Sequence, residues 1–287
     1  MSVPAVFDYH AAGSVDEAIA LLQQYGDEAK ILAGGHSLIP AMKLRLSQPG
    51  HLIDISKLKT LSFIRQRKNA IAIGAATTYS ELEKSDMLQK SFPLLPEGIA
   101  VIGDQQVRNR GTIGGSIAHS DPAADLPGII LALHADIVVQ GPQGKRTLAA
   151  DDFFVDTFTT ALAPDELVIE ILLPLPEAHT GSAYVKVANK ASHYAIAGCA
   201  AVITLEKATC KAASIAITGA SVRTTRAATV EQALSGKQLD ESTIAQAALH
   251  ASDGLEMLSD IHGSDAYRRQ LCTVVTQRAI KQALERC

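Results

Sequence analysis

Nowhere in the 287 residues do two cysteines stand close enough to share a metal ion. Cys199, Cys210, Cys272 and Cys287 never form a C-x-x-C pair, and iron–sulfur and structural zinc sites depend on such spacing. If metal chemistry involves this chain, another chain carries it. The plainer reading is small buried residues plus one free C-terminal thiol. Charge of one sign is missing as well. A net charge of −4 and a pI near 6.1 exclude a general affinity for nucleic acid or anionic membrane. No apolar run approaches the roughly 20 residues that span a bilayer. The opening MSVPAVFDYH has neither the basic nor the apolar region of a secretory signal, so the cytoplasm is the expected compartment. There is no G-x-x-x-x-G-K-[ST], which excludes a P-loop nucleotidase, and no G-x-G-x-x-G after a strand, which excludes a Rossmann fingerprint. Internal repeats and low-complexity tracts are also absent.

What is present suits a soluble globular protein of two domains, with 47% hydrophobic and 20% charged residues. Ser14-Val15-Asp16-Glu17 reads as a capping box opening a helix that Gly26 ends. Lys30–Ala33 reads as a buried strand, and Pro40 suits the first turn of a short helix through MKLRL. HLIDIS and AIAIGA are further strands. LLPEGIAVIG is helical, and GTIGGS reads as a loop. DPAADLPGIILALHA is expected to form a helix capped by Asp121 and opened by Pro122. DIVVQ-GPQG-KRTLA signals a hairpin, and the prolines of ELVIEILLPLP stop a last strand. Beyond about residue 178 come AYVKVA, CAAVITLE and AASIAITGA, read as a three-stranded antiparallel sheet. Helices follow near 228–234, 240–251 and 264–285. The domain boundary is placed at 176–181, giving an expected 1–177 domain, with subdomains of about 1–56 and 57–177, and a 178–287 domain.

Two stretches point to a ligand. Ala33-Gly34-Gly35-His36-Ser37-Leu38 and Ile113-Gly114-Gly115-Ser116-Ile117 share one grammar: an apolar residue, a glycine pair, a polar residue, an apolar residue. Glycine permits positive φ and close approach to its backbone. Successive amides in such a turn form a nest for anions. One loop alone is a weak signal, and a plain turn explains it. Two could grip a pyrophosphate from both sides without a lysine. Asp121 and Asp125 would repel phosphate, yet a carboxylate accepts hydrogen bonds from ribose or ribitol hydroxyls. Helix capping is the alternative for Asp121, and a weaker one for Asp125.

AGGHSLIPAMKLRL, LIDIS, VRNRGTIGGSIAHSDPAADLP and SDIHGSDAYRRQL together resemble the flavoprotein (medium) subunit of molybdenum hydroxylases, a family that includes carbon monoxide dehydrogenase medium chains and the xanthine dehydrogenase flavin domain. The resemblance implies an α+β fold: a two-subdomain FAD-binding domain of the vanillyl-alcohol-oxidase type, then a C-terminal domain of three-stranded antiparallel sheet with helices. It implies that Ala33, Gly34, Gly35, His36, Ser37 and Leu38 form one FAD clamp, and that Thr112, Gly114, Gly115 and Ser116 form the other. It further implies that Asp125 bonds the sugar portion, that Ile102 touches the flavin, that Lys186 contacts the cofactor and that Tyr194 lies near the isoalloxazine. A solvated strand lysine and a core tyrosine are the plain alternatives for the last two. HSDPAADLP and Ser116 depart from the pattern of carbon monoxide dehydrogenases, which leaves CO, an aldehyde or an N-heteroaromatic as substrate of the complex.

The same resemblance implies partners: a small subunit with iron–sulfur clusters and a large subunit with the molybdenum cofactor, in a dimer of heterotrimers. The complex would deliver electrons to quinone, oxygen or NAD, and could lie peripherally on the inner membrane. No residue of this chain is expected to act on the substrate. Two rivals stand beside this reading. One is a flavin oxidase with FAD bonded covalently to His36; the other is a nucleotide-binding scaffold without redox chemistry.

Overall fold

Three parallel strands begin the computed structural model, which describes residues 3–287. His51–Asp54 lies between Asp8–Ala11 and Ala29–Leu32. Parallel neighbours need a crossover, and the helix Val15–Tyr25 supplies it, burying Ala18, Ile19 and Leu22. The Ser14 hydroxyl accepts from the Glu17 amide as expected, but the Glu17 carboxylate accepts from the Gly13 amide (2.7 Å) and not from Ser14. Gly26, at φ 53°, stops the helix. The edge strand Asp8–Ala11 was not expected, because its sequence DYHA is largely exposed and shows no apolar alternation.

A five-stranded antiparallel sheet follows, ordered Ile64–Gln66, Ala70–Gly74, Leu167–Pro174, Asp136–Gly141, Gly144–Ala149. Its central strand is the near-continuous apolar run LVIEILLP, as a strand buried on both faces requires. Val138, Leu167 and Ile169 pack against the first helix and the small sheet. Ile71, Ile73, Ile137 and Ile171 pack into a second cluster with Leu94, Ile99, Ile113, Ile117, Ile129 and Ile130 from a layer of short helices.

The last sheet is an antiparallel meander of Thr180–Ala188, Ala195–Glu206 and Thr209–Thr218, to which the two-residue Thr225–Arg226 adds a fourth strand. One face buries Cys199, Ile203, Ile215 and Ile217 with Leu271, Val275 and Ile280 of the helix Asp265–Leu284. Ala200 and Ala216 join the cluster of the five-stranded sheet instead. The molecule is therefore an α+β protein, in which the C-terminal sheet is sandwiched between its own helices and those of the preceding layer.

Three local expectations are corrected. The second glycine pair is not in a loop: Gly114 and Gly115 lie in the helix Ile113–His119, whose N-cap Thr112 accepts from the Gly115 amide (3.2 Å). A glycine pair normally disfavours a helix, but Gly114 sits where a Cβ would stand 2.5 Å from that of Ala75. Asp121 does not cap a helix either. It closes a turn by accepting from the Ala123 amide, and the helix runs Asp125–Ala132. The carbonyls of 122–124, which a longer helix would use, are taken by the C-terminal sheet. Gly219 N–H donates to Pro122 O, Ala195 N–H to Ala123 O, and the Thr218 hydroxyl contacts Pro122 O and Ala124 O. Finally, the short helix is Leu38–Lys43, with Pro40 third in it. It stops short of LRL because Arg45 is left-handed (φ 60°), which leaves Leu44 and Leu46 exposed.

Candidate functional site

The strand Ala29–Leu32 ends at the first glycine pair, and Ala75, just after the strand Ala70–Gly74, accepts from the Gly114 amide of the second glycine helix. What brings the two together is the absence of side chains. A Cβ on Gly34 would stand 2.2 Å from the Arg110 carbonyl oxygen and 2.9 Å from the Gly111 Cα. A Cβ on Gly111 would enter the Tyr79 ring at 2.5 Å. Gly35 serves differently: its φ of +79° turns the chain, a conformation that costs an L-residue about 1–2 kcal/mol.

Between these segments lies a cavity of about 620 Å³, inside the range of small-molecule and cofactor sites. Its wall includes Ala33, Gly34, Gly35, His36, Ser37, Leu38, Ile102, Thr112, Gly114, Gly115, Ser116, Asp125 and Tyr194. Of the residues expected from sequence, Lys186 alone stands outside it. Lys186 is not a solvated strand lysine either. Its side chain is 5% exposed and its Nζ donates to Asp125 Oδ2 (2.9 Å) and to the His193 carbonyl (2.7 Å). Tyr194, 40% exposed, is no core tyrosine.

The two glycine segments differ in their hydrogen bonds. Among the described residues, the backbone amides of Gly34, Gly35, His36, Ser37 and Leu38 donate to no protein acceptor. In the second segment Ile113 donates to Thr77 O, Gly114 to Ala75 O, Gly115 to the Thr112 hydroxyl and Ser116 to Thr112 O. Free amides in a cavity wall need an acceptor, and clustered amides suit an anion. The fully buried carboxylate nearby is already paired. Asp125 is neutralised by Lys186 and accepts from the Tyr184 hydroxyl at 2.5 Å. Burial pushes the Asp121 carboxyl above the usual range, against its bond from the Ala123 amide.

Several wall residues escaped sequence reading. Burial pushes the Tyr79 hydroxyl up to about 12, with Ser116 pulling the other way; only the Thr78 capping box nearby marked this segment. His119 packs against Phe158 with ring centroids 5.0 Å apart and the rings tilted by 40°, and burial holds its imidazole below the ordinary range. Nothing local flags that pair. Tyr184 lies behind the wall, bonded to Asp125, and was legible in principle, because strand period 2 puts it on the same face as Lys186.

These features fit FAD: free amides for its pyrophosphate, a cavity of cofactor size, and apolar and aromatic wall for its ring. The comparisons agree. Residues 5–176 match the family described as FAD binding domain in molybdopterin dehydrogenase, and residues 182–283 match the CO dehydrogenase flavoprotein C-terminal domain. The carbon monoxide dehydrogenase medium chain of Hydrogenophaga pseudoflava is 41% identical, with 99% of each chain covered. The 6-hydroxypseudooxynicotine dehydrogenase complex subunit alpha of Paenarthrobacter nicotinovorans is 39% identical, covering 99% of this chain and 96% of that one. A solved carbon monoxide dehydrogenase from Hydrogenophaga pseudoflava, which lacks the Mo-pyranopterin moiety of the molybdenum cofactor, superposes with a TM-score of 0.97 at 43% identity over 99% of both chains. By fold, by site and by sequence along nearly its whole length, this chain belongs to the family of FAD-binding medium subunits of molybdenum hydroxylases.

Proposed function

We propose that this chain is the electron-transfer subunit of a molybdenum hydroxylase complex. It would take electrons from iron–sulfur clusters on a small subunit, after a large molybdenum subunit has oxidised the substrate. It would pass them to quinone, oxygen or NAD, within a dimer of heterotrimers. The row of free amides at Gly34–Leu38 carries this reading. FAD, when bound, accepts electrons singly and releases them as a pair.

The chain's own residues bind, orient and shield. The amides of Gly34–Leu38 donate to the pyrophosphate, each charge-assisted bond contributing about 1.5–3 kcal/mol. Thr112, Gly114, Gly115 and Ser116 form the opposite wall, their backbone held rigid by their own bonds. Ile102 offers an apolar surface to the ring, and Tyr194 covers its side. Asp125, with both oxygens engaged, supports the wall next to the sugar. Relatives named for carbon monoxide and for 6-hydroxypseudooxynicotine stand at 41% and 39% identity. Such closeness is expected if the substrate pocket lies elsewhere. No helix among the described residues is long and apolar enough to cross a membrane. Four free cysteines suit the reducing cytoplasm in which we place the chain.

The test is the flavin, iron and molybdenum content of the complex purified from its native host through a tag on this chain. One FAD, about four iron atoms and one molybdenum per chain are expected from two two-iron clusters and one cofactor. FAD without metals, retained in an acid precipitate, would point instead to a free-standing oxidase bonded at His36. A colourless protein would overturn the flavin reading.

A further inference from the structure

The turn that brings Tyr194 to the cavity is exposed from Lys190 to Tyr194, yet it is closely specified. Asn189 donates its amide to Tyr194 O (2.8 Å), and His193 donates to Asn189 O (2.9 Å). The Asn189 side-chain oxygen accepts from the amides of Ala191 and Ser192. His193 itself is left-handed, with φ of 62°. A non-glycine residue holds such a conformation only where its surroundings impose it. Among the described residues, the buried side chain hydrogen-bonded to this turn is that of Lys186. From its place on the strand Thr180–Ala188 it donates to the His193 carbonyl, while its other bond ties it to Asp125. Asp125 in turn heads the helix Asp125–Ala132 and is fixed from the other side by Tyr184. The chain of contacts thus runs from the helix below the cavity, through a buried ion pair, to the residue preceding Tyr194.

We propose that the Asp125–Lys186 pair is a latch: Lys186 is a positioning residue that holds the His193 carbonyl, and so sets Tyr194 over the flavin without touching the cofactor. A buried ammonium suits this task because it donates several bonds at once, binding Asp125 and His193 together. The proposal rests on the reading that FAD occupies the cavity, and it assigns Lys186 a different role from direct contact.

Removing Lys186 alone would strand a buried carboxylate and destabilise the fold, so the test uses the neutral pair Asp125→Asn with Lys186→Met. Protein purified through a tag on this chain, with its co-purifying subunits, is stripped of flavin and titrated with FAD. The readouts are the apparent Kd and the quenching of flavin fluorescence, each measured with Tyr194 present and in a Tyr194→Ala background. A latch acting through Tyr194 predicts a non-additive cycle: about tenfold weaker binding and reduced quenching with Tyr194 present, and less than about twofold change without it. Equal losses in both backgrounds would mean that the pair acts on the cofactor otherwise than through Tyr194, and would overturn the proposal. So would no loss in either. If the neutral pair fails to fold, His193→Val decides the matter, because it leaves the ion pair intact while a β-branched residue resists the left-handed region. It must then show the same Tyr194-dependent loss, or the latch is refuted. If the unaltered protein binds no FAD, the flavin reading fails first, a result distinct from all of these.

Discussion

The two glycine segments look alike in sequence and do opposite things with their amides. The first leaves five of them without a protein partner; the second directs its own into Ala75, Thr77 and its Thr112 cap. In the proposed reading, one segment is a binding surface, and the other is the frame against which it is set. Similar grammar therefore does not mean similar work, because what decides the role is where the following hydrogen bonds go.

The sharpest way to break this comparison is Gly34→Ala. Its Cβ would collide with rigid backbone at Arg110, so the first segment must lift from its frame. We expect a loss of about 2–3 kcal/mol in thermal unfolding and no retained FAD on purification. Gly35→Ala should be milder. It strains a left-handed residue by about 1–2 kcal/mol and shifts the amides that follow, weakening FAD about tenfold in an equilibrium titration. Thr112→Ala removes a cap worth about 1 kcal/mol from the frame alone, so stability should fall while the FAD Kd moves less than about threefold. If Thr112→Ala weakens FAD as much as Gly35→Ala does, the division into surface and frame is wrong.

The smallest effect is expected from acid groups near the cavity. The Asp121 carboxyl is raised in the folded state by burial, so the native protein binds its proton more tightly than the unfolded chain. Its ionisation costs stability as pH rises through that raised value, and the cost persists at pH 7. Asp121→Asn should then raise Tm by about a degree at pH 7, an advantage that vanishes below the ordinary carboxylate range. His119 works the other way in acid. Its imidazole is lowered by burial, so the unfolded chain binds more protons and stability declines as pH falls below about 6.5. His119→Gln should flatten that decline in a pH series of melting curves.

Much of the site was legible because glycine carries information: Gly34, Gly35, Gly114 and Gly115 stand where the backbone must approach something closely. The placing of Tyr184 and Lys186 on one face of their strand was legible in principle too, through period 2. Other features were not. The edge strand Asp8–Ala11 has no apolar pattern to announce it. The helix through Gly114 and Gly115 runs against local propensity, and exists because Ala75 admits no side chain opposite Gly114. Asp121 followed by Pro122 has every local mark of a helix start. Its failure to be one depends on Ala195, Thr218 and Gly219, which lie over 70 residues further on and claim the carbonyls a helix would need. A local motif cannot reveal a competitor from another domain.

That competition has a mechanical consequence. Pro122, Ala123 and Ala124 belong to the first domain by sequence, yet they are stitched to the sheet of the second at the floor of the cavity. The second domain reaches the cavity's edge through Ser192, His193 and Tyr194, so the two halves cannot part without opening it there. Unfolding is therefore expected to be a single cooperative event rather than two.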